Sequence, residues 1–138
     1  MNSNVHSVIA LDVGERRIGV AHADTGVRFP IPYGTLEVDG FELERLREIV
    51  AELEPSLIVV GYPRNQNGET TAQTEIVKEF TKKLEPLHVE ILFQDESLTS
   101  VLAEKYLDSQ KKPYSKADID AHAAAIILGD YLEIAYGK

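Results

Sequence analysis

The sequence contains no cysteine. That excludes a disulfide framework and any thiolate metal centre, and it fits a reducing compartment. Long apolar runs are also missing: the longest span about four to eight residues, against the ~20 that a membrane-spanning helix needs. Residues Met1 to His6 are polar and lack the basic and apolar segments of a secretory signal. These absences predict a cytoplasmic protein without a membrane partner. No internal repeat, low-complexity tract or linker breaks the 138 residues, a length that suits one domain, 1–138, burying roughly two thirds of its unfolded surface. The histidines His6, His22, His88 and His122 show no metal-ligand spacing. Positive charge is scarce, with 14 Lys and Arg against 23 Asp and Glu, a net charge of −9. That balance opposes general attraction to phosphate. A nucleic-acid partner would need a local basic patch, acting within a screening length of about 10 Å.

What is present reads as strand, strand, strand, helix, strand, helix, strand, helix, helix. The first strand, Val5 to Asp12, ends in the apolar run Val8-Ile9-Ala10-Leu11, as in a central strand covered on both faces. Gly14-Glu15-Arg16 turns the chain into a second strand, Arg17 to Ala23, closed by Asp24-Thr25-Gly26. The short link implies an antiparallel hairpin. A third strand, Val27 to Leu36, carries Pro30 and Pro32 and so belongs at an edge. Asp39 is placed to cap a helix over Gly40 to Leu53, whose Leu43, Leu46, Ile49, Val50 and Leu53 share one face. Leu57-Ile58-Val59-Val60 is a buried strand reached by a right-handed crossover. A helix over Thr71 to Leu84 follows, then a strand over His88 to Gln94, with Val89, Ile91 and Phe93 on one face. Two helices finish the chain, Thr99 to Asp108 and Lys116 to Tyr136, the latter capped by Ser115. A polar loop, expected to be mobile, joins them. The reading is an α/β fold with a five-stranded mixed sheet, in which strands 1–3 form an antiparallel meander and strands 1, 4 and 5 run parallel.

In such sheets ligands bind at the carboxyl ends of the parallel strands. Asp12 ends the first strand, Gly61-Tyr62-Pro63-Arg64 the fourth, and Asp95-Glu96 the fifth. Asp120 lies early in the last helix, whose Ala121, Ala123, Ala124 and Ala125 permit a close approach to the sheet. Buried-strand acids are costly unless paired or bound to a cation. Oxygen donors without cysteine favour hard ions such as Mg²⁺ or Mn²⁺. Each acid also has a plain structural role open to it. Asp12 can be a turn residue, Asp95 and Glu96 can cap a helix, and Asp120 can complement a helix dipole. Arg16, Arg17 and Arg64 near this edge, with Lys111, Lys112 and Lys116 around the last loop, can hold phosphates or be ordinary solvated surface. Lys78, Lys82 and Lys83 read as i,i+4 partners of Glu75 and Glu79. Tyr62 and Tyr114 read as packing residues, with base stacking the alternative.

Four segments in order carry a resemblance. Asp12-Val-Gly14 with Ile18-Gly19-Val20-Ala21, Val60-Gly61-Tyr62-Pro63 with Gly68, Asp95-Glu96-Ser97-Leu98-Thr99-Ser100, and Lys116-Ala-Asp-Ile-Asp120 with Ala123 to Leu128 resemble the motifs of the YqgF/RuvX family across nearly the whole chain. That family is described as Holliday junction resolvases or pre-rRNA nucleases. The resemblance implies a ribonuclease-H-like fold and metal-dependent nuclease chemistry, with Asp12, Glu96 and Asp120 as the acidic triad. It also implies a role in maturing the 5′ end of the small-subunit rRNA. Two positions depart from the pattern. Ser97 stands where the family usually has Arg, removing one charge-assisted contact if that Arg meets a phosphate. Ala117 replaces the usual Gly.

Three functions are weighed. The first is an Mg²⁺- or Mn²⁺-dependent phosphodiesterase acting on pre-rRNA or branched DNA, where a homodimer would double the basic surface and suit a two-fold substrate. The second is a sugar-kinase-like phosphate binder, supported by the Asp-x-Gly turn but opposed by a length that leaves no second domain to close on a nucleotide. The third is a non-catalytic module binding ribosome precursors, favoured by the acidic charge and Ser97.

Overall fold

The computed structural model describes residues 5–63, 67–96 and 99–137, with the side chains of all but Glu96, Thr99, Ser100 and Val101. Strands β1 (Ser7–Val13), β2 (Arg17–Asp24), β3 (Ile31–Glu37), β4 (Leu57–Pro63) and β5 (Glu90–Glu96) form one sheet in the order β3-β2-β1-β4-β5. β1 pairs antiparallel with β2 and β2 with β3, while β1–β4 and β4–β5 are parallel. This is the mixed sheet that the hydrophobic pattern predicts. The prolines place β3 at an edge, where Pro32 sits opposite Ala21 at an irregularity in the ladder.

The two faces are covered differently. Ile9, Leu11, Val13, Ile18, Val20, Ile58 and Val60 turn to helices α1 (Glu42–Leu53) and α2 (Ala72–Lys82), and pack on Leu46, Ile49, Val77, Phe80 and Leu84. On the other face Val8, Ala10, Ala21, Ala23, Leu57 and Val59 meet helix α4 (Lys116–Tyr136) through Ala124, Ala125, Ile127, Leu128 and Leu132. Alternation along each strand divides the core in this way. Full burial of each of these aliphatic side chains contributes about 1.5–3 kcal/mol. Helix α3 (Thr99–Ser109) packs against α4, where the Tyr106 and His122 rings stack at 4.4 Å. Burial there holds the His122 imidazole below its ordinary pKa.

α4 begins under the predicted Ser115 cap. The Ser115 hydroxyl accepts from the Asp118 N–H while the Asp118 carboxylate accepts from the Ser115 N–H. In the loop before it, Tyr114 donates its hydroxyl to Asp108, which pushes the Tyr114 phenol up to about 12.

Some expectations are corrected. Asp39 does not cap α1; the helix starts at Glu42 behind Phe41 with no side-chain cap. Asp39 instead accepts from the Phe41 N–H at 3.0 Å and binds both terminal nitrogens of Arg45 at 2.9 and 2.8 Å. β3 starts at Ile31, not Val27, because the Asp24 carboxylate accepts from the Val27 N–H and Arg28 adopts φ 63°. β5 starts two residues late, since a 3₁₀ turn (Glu85–Leu87) and His88 at φ 57° occupy the linker. β5 also ends at Glu96 rather than Gln94, so Asp95 and Glu96 lie within the strand. Phe93 is 42% exposed, and its ring meets Tyr62 edge-on at 5.0 Å. The α2 lysines Lys78 and Lys82 pair with Glu75 and Glu79 at a spacing of three residues, not four.

Candidate carboxylate site

Asp12 lies near the carboxyl end of β1, and its cross-strand partner on β2 is Gly19. Alternation puts Asp12 on the face of Val8 and Ala10, the face that α4 covers. Gly19 shares that face with Ala21 and Ala23. A Cβ built on Gly19 would lie 1.9 Å from the carbonyl oxygen of Asp120 and 3.0 Å from the backbone nitrogen of Ala121. The first turns of α4 therefore rest directly on the glycine backbone opposite Asp12. No residue with a side chain fits there without displacing the helix.

Two side-chain contacts from the meander hold the helix start in this position. The hydroxyl of Thr35, the β3 partner of Gly19, donates to the Ala117 carbonyl at 2.7 Å. Arg17, two residues before Gly19 on the same strand face, donates from Nε to Asp120 Oδ2 at 2.7 Å. The Arg17 and Asp120 side chains are 27% and 23% exposed, so the pair is partly shielded from water and keeps a route to it.

The neighbouring strand ends are tied as well. Gln73, at the start of α2, donates to the Val13 carbonyl at 2.8 Å, and the buried Thr74 hydroxyl donates to the Pro63 carbonyl at 2.6 Å. Thr71 and Thr74 cap the helix reciprocally. The β1–β2 turn closes where the Gly14 N–H donates to the Arg17 carbonyl at 2.9 Å. A Cβ at Gly14 would come within 2.8 Å of that oxygen.

The sequence-derived residues thus fall as follows. Asp12 and Asp120 are half-buried and brought to one face around Gly19. Glu96 ends β5 with its backbone opposite Pro63, while its side chain, like the whole of Arg64 and Ser97, lies outside the described residues. Asp95 is exposed, opposite Tyr62. Arg16 is exposed in the β1–β2 turn, and Lys116 is exposed as the first residue of α4. Arg17 is engaged with Asp120. His22 lies against Tyr33. Among the described residues no three His, Asp or Glu side chains group closely enough to hold an ion. The residue that sequence reasoning missed is Gly19. Its signal was visible: a glycine inside an otherwise apolar strand marks a close backbone approach.

A cleft of about 350 Å³ lies on the opposite face, between the β1–β2 turn, α1 and α2, floored by Val13, Ile18, Val38, Ile76 and Phe80. Glu15, Glu42, Glu75, Glu79 and Lys83 also line it, while Asp12 and Asp120 do not.

The sequence profile of the family described as "RuvX: Holliday junction resolvase" matches residues 6–134. The chain belongs to the RuvX family. Two curated relatives carry the name "Putative pre-16S rRNA nuclease". The protein from Roseiflexus sp. (strain RS-1) is 39% identical, covering 96% of this chain and 98% of its own. That from Chloroflexus aurantiacus (strain J-10-fl) is 41% identical, covering 96% and 89%. Two solved structures share the fold of this RuvX chain. Thermus thermophilus RuvC in complex with a Holliday junction aligns with a TM-score of 0.59 at 14% identity, covering 96% of this chain and 98% of that one. Fowlpox virus resolvase with Holliday junction DNA aligns at 0.55 and 10% identity, covering 94% and 99%. The fold is therefore ribonuclease-H-like. Among the described residues, no helix is long and apolar enough to cross a membrane.

Proposed function

We propose that this RuvX protein is a metal-dependent nuclease of the cytoplasm that cleaves a phosphodiester near the 5′ end of pre-16S rRNA. In this reading residues 1–138 act as one nuclease domain, and Asp12, Glu96 and Asp120 hold Mg²⁺ or Mn²⁺. The observation that carries it is the placement of Asp12 and Asp120 on one face across Gly19. Any Cβ at position 19 would strike a helix carbonyl, so the glycine lets the helix sit there and carry the Asp120 carboxylate to that face.

The donor set fits a hard cation. Asp12 and Asp120 supply only oxygen, the donor type that hard cations take, and Asp120 keeps Oδ1 outside its bond to Arg17. Glu96 is the third carboxylate of the set: β5 runs parallel to β4 beside β1, and alternation puts position 96 in step with Leu92 and Gln94. The chemistry such an ion supplies is activation of a water and stabilisation of the leaving oxygen. The chain's own groups do the remaining work. Arg17 orients Asp120, Thr35 fixes the helix start, and Arg16, Arg17, Arg64 and Lys116 gather backbone phosphates at an edge of an otherwise acidic protein. The names of the curated relatives support the rRNA substrate.

A second reading, resolution of branched DNA by a homodimer, is supported by the family description. Cleavage of labelled pre-16S 5′ fragments and four-way DNA junctions, with Mg²⁺ or Mn²⁺, separates the two. The first reading expects metal-dependent cutting of the RNA that Asp12→Asn abolishes. Cutting confined to the junction would transfer the assignment to the resolvase. No cutting of either by folded protein would favour a non-catalytic binding module.

A further inference from the structure

Two arginine–aspartate pairs in this molecule are built differently. On the α1 side, Arg45 grips Asp39 with both terminal nitrogens, one on each carboxylate oxygen. That fork-to-fork arrangement is the strong neutralising one. Arg17 instead meets Asp120 through Nε alone, on Oδ2. Among the described residues neither side chain makes another bond. A guanidinium carries five N–H donors in a fixed plane, so four remain on the two terminal nitrogens, and Asp120 keeps Oδ1.

We propose that Arg17 is a bridging residue: its Nε edge sets the Asp120 carboxylate, and its terminal nitrogens take a non-bridging phosphate oxygen of the nucleic-acid backbone. One rigid group then fixes the phosphate relative to the carboxylates. The inference rests on the nuclease reading and deepens it. Its support is the single-edge bond, the partial exposure of the side chain, and its place on the strand face of Gly19, opposite Asp12. Planar guanidinium is also the group whose shape matches phosphate bidentately. Lysine cannot do both jobs, because an ammonium is a point charge without separate edges.

The test measures binding rather than cleavage. A fluorescently labelled RNA spanning the pre-16S 5′ end is titrated with protein in the Asp12→Asn background, with Mg²⁺ present, over a series of salt concentrations. Arg17→Gln is expected to weaken binding about tenfold and to reduce the slope of log K against log salt by about 0.7 to 0.9, the loss of one phosphate contact. Arg17→Lys should keep most of the slope and still bind more weakly, with a melting temperature near the parent's to show that the fold is kept. Arg47→Gln, which removes an exposed charge from α1, should change neither quantity. An unchanged slope in Arg17→Gln would overturn the bridging role and leave the nuclease reading standing, as would equal losses in Arg17→Gln and Arg47→Gln. If neither the Asp12→Asn parent nor the wild type with Ca²⁺ in place of Mg²⁺ binds the RNA, both are overturned.

Discussion

The two faces of the sheet use opposite packing. Toward α1 and α2 the core is made of large side chains, among them Leu46, Ile58, Phe80 and Leu84. These hold the helices away from the strands at ordinary side-chain distance. Toward the start of α4 the contact is Gly19, with Ala21 beside it and Ala121, Ala123, Ala124 and Ala125 on the helix. There backbone lies on backbone. The first face buries the larger side chains, whose burial stabilises the chain. The second carries smaller side chains, but it fixes where the start of α4 stands, with the Asp120 backbone against Gly19, the cross-strand partner of Asp12. A large side chain can repack when its neighbours shift, whereas a glycine contact has nothing to adjust. Both faces bury aliphatic side chains, but among the described residues only the start of α4 is seated by a glycine contact.

The largest expected effect is on the site itself. Asp12→Asn should lower metal-dependent cleavage by roughly 10²–10³-fold or more, measured by single-turnover assay, with little change in melting temperature. Next come two substitutions that set the faces against each other. Gly19→Ala places a methyl group against the Asp120 carbonyl. It should cost about 1–3 kcal/mol of stability, and the remaining folded protein should cleave poorly because α4 has moved. Leu46→Ala, on the far face and fully buried, should cost about 2–5 kcal/mol with cleavage per folded molecule kept. Denaturant melts and active-fraction kinetics on the same samples check both. Equal activity losses in the two variants would erase the distinction between the faces.

A smaller effect is expected for Thr35→Val. Removing the bond to the Ala117 carbonyl should cost about 1 kcal/mol and lower cleavage modestly. The smallest concerns Asp39, which Arg45 and the Phe41 N–H hold down at about 2. Because its folded pKa lies below the ordinary carboxylate value, its contribution is present above that ordinary value, near 4. It is lost as pH falls through about 2. The pair is exposed, so Asp39→Asn should give only a slight loss in denaturant midpoint at neutral pH, shrinking at acid pH. A midpoint difference that grew on acidification would show that the pair is not the source.

Much of this was legible in the sequence because the responsible signals are local. The apolar runs of β1 and β4, the prolines of β3 and the Ser115 cap each act within a few residues, and the strand directions followed from connection lengths. Asp12 and Asp120 stood out as acids at the ends of buried elements. What escaped was set by competition or by tertiary contact. Asp39 has the sequence of a cap, but Arg45 draws its carboxylate into an ion pair. His88 takes a left-handed backbone conformation, and so delays β5, in a segment whose alternation suggested an earlier start. Gly19 lay inside a recognised motif, yet its role depends on a helix about a hundred residues away, which no local pattern encodes. The edge-on hold of Arg17 on Asp120 is likewise a matter of geometry rather than of residue type.

The most direct test of the central claim is calorimetric titration of Mn²⁺ into the wild type, Asp12→Asn and Asp120→Asn. The account predicts that the wild type binds Mn²⁺ and that each substitution weakens binding about tenfold or more, with both variants still folded. Variants that bind as tightly as the wild type would contradict it, since the carboxylates across Gly19 would then not share an ion.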